Sequence, residues 1–93
     1  MEPLLDMLKI DLGIKGTAYD ARLTQYLDYS RQEIDDKGIS LDVSALKDQQ
    51  LIVMYAAWLW RRRDSGEGMP RMLRYTLNNR IIGHVTAGGK RDG

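Results

Sequence analysis

Ten consecutive apolar residues, Leu51 to Trp60, constrain the fold of this chain more than any other feature of it. A helix needs roughly 20 such residues to cross a bilayer, so the run is too short to span one and belongs in a folded core. It lacks the alternation of apolar and polar positions that a half-buried strand requires. As a helix it is apolar on every side and must be covered on every side, either as the central post of a domain or as part of a subunit interface. The helix is predicted to begin at Asp42 or Ser44 and to run to about Asp64. Arg61, Arg62 and Arg63 stand near its end, where positive charge suits the helix dipole. A chain of 93 residues has room for one domain around such a post. At 43% hydrophobic and 29% charged, it has enough apolar material to fold rather than stay disordered.

Glycines divide the rest. The first helix starts near Pro3, carries Leu4, Leu5, Leu8 and Leu12 at helical spacing, and stops at Gly13, where Ile14 folds back on the last turn. Thr17 and Asp20 form a variant capping box for a second helix. Its face is Tyr19, Leu23, Tyr26, Leu27, Ser30 and Ile34, and Gly38 with Ile39 ends it as Gly13 with Ile14 ended the first. Asp64 to Met69 is a loop, and Pro70 opens a fourth helix with Met69, Leu73, Leu77 and Ile81 on one face. From Gly83 onward, glycine and charge leave nothing to pack. The expectation is an all-α fold: a small bundle of four helices around a central apolar third helix. Residues 1–82 form a single domain and 83–93 a flexible tail.

Charge is unevenly shared. Met1 to Asp48 carries ten acidic and six basic residues, a net −4; Gln49 to Gly93 carries three and eight, a net +5. Such a chain suits head-to-tail contact, its acidic part meeting the basic part of a neighbour. Asp28, Asp35 and Asp36 are the acidic candidates; Asp35 and Asp36 also sit at a helix carboxyl end, where they oppose the dipole. Two tryptophans, Trp58 and Trp60, are hard to bury together in so small a domain, and tryptophan and arginine are enriched at interface hot spots.

Chemistry is sparse. The absence of cysteine rules out disulfides, thiolate metal sites and a cysteine nucleophile. Gly88, Gly89 and Lys90 lack the upstream glycine and the following serine or threonine of a phosphate loop. His84 has no neighbouring ligands, and the Asp64 to Glu67 stretch lacks the spaced carboxylates of a calcium loop. Asp35, Asp36 and Asp42 have no further signature of acid–base or metal chemistry beside them. No catalytic residue, cofactor or metal is expected. The amino terminus, broken by Glu2, Asp6, Lys9 and Asp11, lacks the apolar core of a signal peptide. Arg61 to Arg63, Arg71, Arg74 and Arg80 flank one loop and offer a basic surface, so the alternative is a small helix-turn-helix DNA-binding regulator reading through its fourth helix.

Three pieces in fixed order, YAAWLWRRR at Tyr55 to Arg63, GEGMPRMLR at Gly66 to Arg74 and LNNR at Leu77 to Arg80, resemble the carboxyl-terminal half of head–tail connector proteins from phages and prophages of Gram-positive bacteria. The first half, LLDMLKIDLGI and a tyrosine-rich helix ending DDKGI, is similar in layout. Trp60 stands where many relatives have tyrosine. The resemblance implies a structural, non-enzymatic virion assembly protein. Its copies form a ring under the portal protein, extend the DNA channel and dock the tail-side completion or stopper protein. DNA would pass without sequence-specific binding, and no membrane is involved. The protein would sit at the head–tail interface of the virion, after assembly in the bacterial cytoplasm. The resemblance places the portal contact at Met69 to Ile82 and the tail beyond. The candidate portal and subunit contacts are Trp58, Trp60, Arg61, Arg62, Arg63, Met69, Arg71, Arg74, Tyr75, Asn78, Asn79 and Arg80.

Overall fold

Leu4 and Leu8 from the first helix, Leu23, Leu27 and Ile34 from the second and Leu73 and Leu77 from the fourth all converge on one surface, that of the apolar third helix. The computed structural model describes residues 2–89, with side chains from 3 to 81. The helices are α1 Glu2–Leu12, α2 Asp20–Asp36, α3 Leu46–Ser65 and α4 Arg71–Gly89, and no strand occurs among the described residues. α3 contributes Leu51, Ile52, Val53, Tyr55, Ala56, Ala57 and Trp58 to the core. It packs against each of the other three helices, and α1 also packs against α2. Each large apolar side chain buried this way contributes about 1.5–3 kcal/mol, so the post of the bundle is also its main source of cohesion.

The helix stops follow from backbone chemistry. Gly13 has φ +72°, which an L side chain rarely adopts; its amide donates to the carbonyl of Ile10, and that of Ile14 donates to Lys9. This pair of bonds satisfies carbonyls left open at the end of α1 and turns Ile14 back against the core. Gly38, at φ +91°, donates to the Asp35 carbonyl and leaves Ile39 fully buried just beyond. α3 likewise ends on Gly66 in the left-handed region, its amide bonded to the carbonyl of Arg62.

The helix starts differ from expectation in instructive ways. Thr17 does not cap α2: Tyr19 occupies the cap position with no side-chain bond, and Asp20 is turned instead toward Lys9 of α1, 2.8 Å away. The ion pair joins α1 to α2, a use that the capping spacing does not foresee. α3 begins at Leu46, after a turn built on Asp42. The Asp42 carboxylate accepts from the Ser44 amide at 3.0 Å and from its hydroxyl, so Asp42 organises the approach to the helix rather than its first turn. α4 begins one residue after Pro70, whose carbonyl accepts the Arg74 amide. It continues past Gly83 to Gly89. The tail expected over 83–93 thus starts inside α4, and its last residues, 90–93 with Lys90 among them, lie outside the described residues. The side chain of His84 lies outside them too.

Candidate interaction surface

Within α3, Asp48 is only 2% exposed. It stands in the first turn of the helix and reaches back to accept the Asp42 amide at 2.7 Å, while its other oxygen accepts from the guanidinium of Arg80 at 2.5 Å. Arg80 also donates to the carbonyl of Ser40 at 3.3 Å. Burial pushes the Asp48 carboxyl up, but the Arg80 guanidinium and the Asp42 amide outweigh it and hold the group below its usual value of 3.8. Asp42 is also lowered, by the hydroxyl and amide of Ser44. One side chain of α4 therefore clasps both the start of α3 and the loop before it. Arg80 serves the fold of this chain, and little of it is left for a partner.

The two tryptophans part company. Trp58 is 8% exposed, donates its indole N–H to the Glu67 carbonyl at 3.3 Å and meets Tyr55 edge-to-face at 5.5 Å. It belongs to the core of the chain. Trp60 is half-buried between Tyr19 and Tyr26, with ring centroids at 5.4 and 5.6 Å. The three consecutive arginines of α3 take three directions, as helical geometry requires of adjacent residues. Arg61 reaches Asp11 of α1 at 3.4 Å, an exposed pair worth under about 1 kcal/mol. Arg62 lies over the Trp58 ring at 5.1 Å. Arg63 lies over Trp60 at 3.8 Å and pairs with Asp64 at 2.8 Å. An open groove of about 550 Å3 runs beside them, lined by Gln25, Tyr26, Tyr29, Leu59, Arg62 and Arg63.

α4 is held mainly by one face. Leu73 and Leu77 are buried against α3, and Met69 and Ile81 are packed against the core at either side. Of its other described side chains, Arg71, Met72, Arg74, Tyr75, Asn78 and Asn79 are all exposed, Met72 at 68% and Tyr75 at 60%. Neither Arg71 nor Arg74 has an ion-pair partner among the described residues. Arginine, tyrosine and methionine side by side make the composition of a protein interface rather than of an ordinary solvated face. Met72 was absent from the residues singled out by sequence, although its place one step from Arg71 on a helix with a known buried face would have marked it.

The acidic candidates, Asp28, Asp35 and Asp36, are exposed on α2. The charge asymmetry of the sequence is partly spanned inside the chain: Asp11–Arg61 and Asp48–Arg80 each join the two parts. What they leave is a net −2 on the first part and +3 on the second. Among the described residues no group of three or more His, Cys, Asp or Glu stands where it would hold a metal ion. No described helix is long and apolar enough to cross a membrane. No family model, curated protein or solved structure matches this chain.

Proposed function

We propose that this chain is a structural, non-enzymatic assembly subunit of the head–tail connector type. Copies of it form a ring under a portal protein, extend the DNA channel and give the next tail-side protein a platform. The observation that carries the reading is the outward surface of α4: a helix anchored through Leu73 and Leu77 that presents arginine, methionine and tyrosine to whatever lies next to it. The sequence resemblance supports the same segment as the docking element. The place of action is then the head–tail interface of a virion, reached by assembly in the bacterial cytoplasm. Electron microscopy of the chain mixed with the portal protein encoded in the same genome tests this. Added density stacked coaxially on the portal is expected, and an unaltered portal would refute the proposal.

The exposed face of α4, with Arg71, Arg74, Asn78 and Asn79, also has the residue types that a helix-turn-helix regulator lays into the major groove. Titration of duplex DNA at two salt concentrations separates the two. A channel wall gives weak binding that salt abolishes, whereas a regulator retains preference for one sequence at physiological salt.

A further inference from the structure

The outward surface of α4 divides into two stripes. Arg71, Arg74, Tyr75 and Asn78 recur at the three- and four-residue spacing of a single helix face, and Met72 and Asn79 lie about a quarter turn away. On α2, Asp28, Gln32 and Asp35 recur at the same spacing and, with Arg31 and Leu41, line an open groove of about 460 Å3. Asp28 and Asp35 are two turns apart, about 10.5 Å along the axis, which equals the span from Arg71 to Asn78. The α4 stripe brings two positive charges to a groove that holds two negative ones and Arg31. Arg71 and Arg74 are about 4.5 Å apart along their axis, and their long side chains splay to reach the more widely spaced carboxylates. The two stripes do not pair with one another within the chain.

We infer that the Arg71, Arg74 and Tyr75 stripe of one copy docks into the α2 groove of a second copy, with its arginines against Asp28 and Asp35 and the Tyr75 ring toward Leu41. The inference rests on the reading of this chain as an assembly subunit and specifies which surfaces meet. Because the two surfaces differ, the contact is head-to-tail: every copy that uses its α4 stripe still has a free α2 groove, so copies add in sequence and close into a ring if the rotation allows. Met72 and Asn79 stay outside this contact, available to the portal. Guanidiniums suit the task, since their planar fork matches a carboxylate and Tyr75 brings rigid apolar area.

Charge reversal provides the test, with the full chain and two variants, Asp28→Lys with Asp35→Lys and Arg71→Glu with Arg74→Glu. All four positions are exposed, so circular dichroism should show both variants folded. Native mass spectrometry and sedimentation, at low and high salt across a wide concentration range, should show the unaltered chain associating and salt opposing it. Each variant alone should associate at least about tenfold more weakly. Mixed in equal amounts, the variants should recover association, because alternating copies pair the reversed groove of one with the reversed stripe of the other, and at the next contact the unaltered stripe of the first with the unaltered groove of the second. A mixture that stays as monomeric as its components overturns the inference, as does an Arg71→Glu, Arg74→Glu chain that associates normally. A second measurement uses the lack of cysteine: Gln32→Cys and Tyr75→Cys chains, mixed under oxidation, should crosslink faster than Gln32→Cys with Ile10→Cys. Equal rates would also overturn it. Failure here leaves stacking on the portal as a separate observation, so the two proposals fall independently.

Discussion

Arg80 and Asp48, 32 residues apart in sequence, form an ion pair that ties the last helix to the first turn of the central one. The carboxylate is almost fully enclosed, while about a quarter of the arginine side chain reaches solvent. The asymmetry decides what each truncation does. Arg80→Ala leaves a buried charge with only one amide to meet it and should cost about 2–3 kcal/mol, a large share of the stability of a domain this size. Asp48→Ala frees an arginine that can turn to water and should cost about 1–2 kcal/mol, chiefly through the abandoned Asp42 amide. Urea unfolding followed by circular dichroism measures both, and the order of the two is the point at issue.

The same carboxylate gives the chain an acid limit. Asp48 is held below 3.8 in the folded state, so its ionised form favours folding. That contribution is complete above the unfolded value and is lost as pH falls through the folded one. Unfolding free energy should be level above about pH 5 and decline below about pH 4, and Asp48→Asn should flatten the decline while lowering the plateau. Asp42, lowered by Ser44, adds to the slope in the same direction. A decline of equal steepness in the Asn variant would count against the assignment.

Trp58 and Trp60, two residues apart, should respond differently to truncation. Trp58→Ala removes a buried ring and an indole bond and should cost about 3–5 kcal/mol; Trp60→Ala, from a half-exposed site, should cost about half as much. In a Trp58→Phe chain the remaining indole should be quenched by acrylamide more readily than the average of the two in the unaltered protein.

Gly66 and Gly68 separate conformation from space. A Cβ meets nothing within 4 Å at either position, but Gly66 has φ +66° and Gly68 has no such constraint. Gly66→Ala should cost about 1 kcal/mol, and Gly68→Ala should be neutral or stabilise by a few tenths, because only the unfolded chain notices it. Thermal unfolding of the two variants compares them directly.

How much of this was legible in the sequence follows from the range of the forces involved. Helices, their glycine stops and the surrounded third helix depend on residues within a few positions of each other, and periodicity reports them: Gly13 with Ile14 and Gly38 with Ile39 behave as their local chemistry requires. The side chains that α4 exposes follow from the same period once Leu73 and Leu77 are taken as its anchor. The Asp48–Arg80 clasp was not legible, since an acid in the first turn of a helix is ordinarily a solvated dipole partner and nothing near it in sequence names an arginine on another helix. Lys9 drew Asp20 away from a capping role for the same reason. Among the candidate contacts, Trp58 and Arg80 also have partners inside the chain, Tyr55 and Glu67 for the first and Asp48 for the second, which residue type alone does not announce.

The way α4 is attached has a further consequence for exchange with solvent. Among the described side chains, Leu73, Leu77, Ile81 and the Arg80 clasp attach α4 through fewer contacts than those that hold α1, α2 and α3 together, so the last helix is the natural first cooperative unit to open, with the three-helix remainder still closed. Its amides should then lose their protons on a faster clock than those around Ile52 and Ala56, and a variation that refits its outer surface to a new neighbour would place little demand on the rest of the molecule.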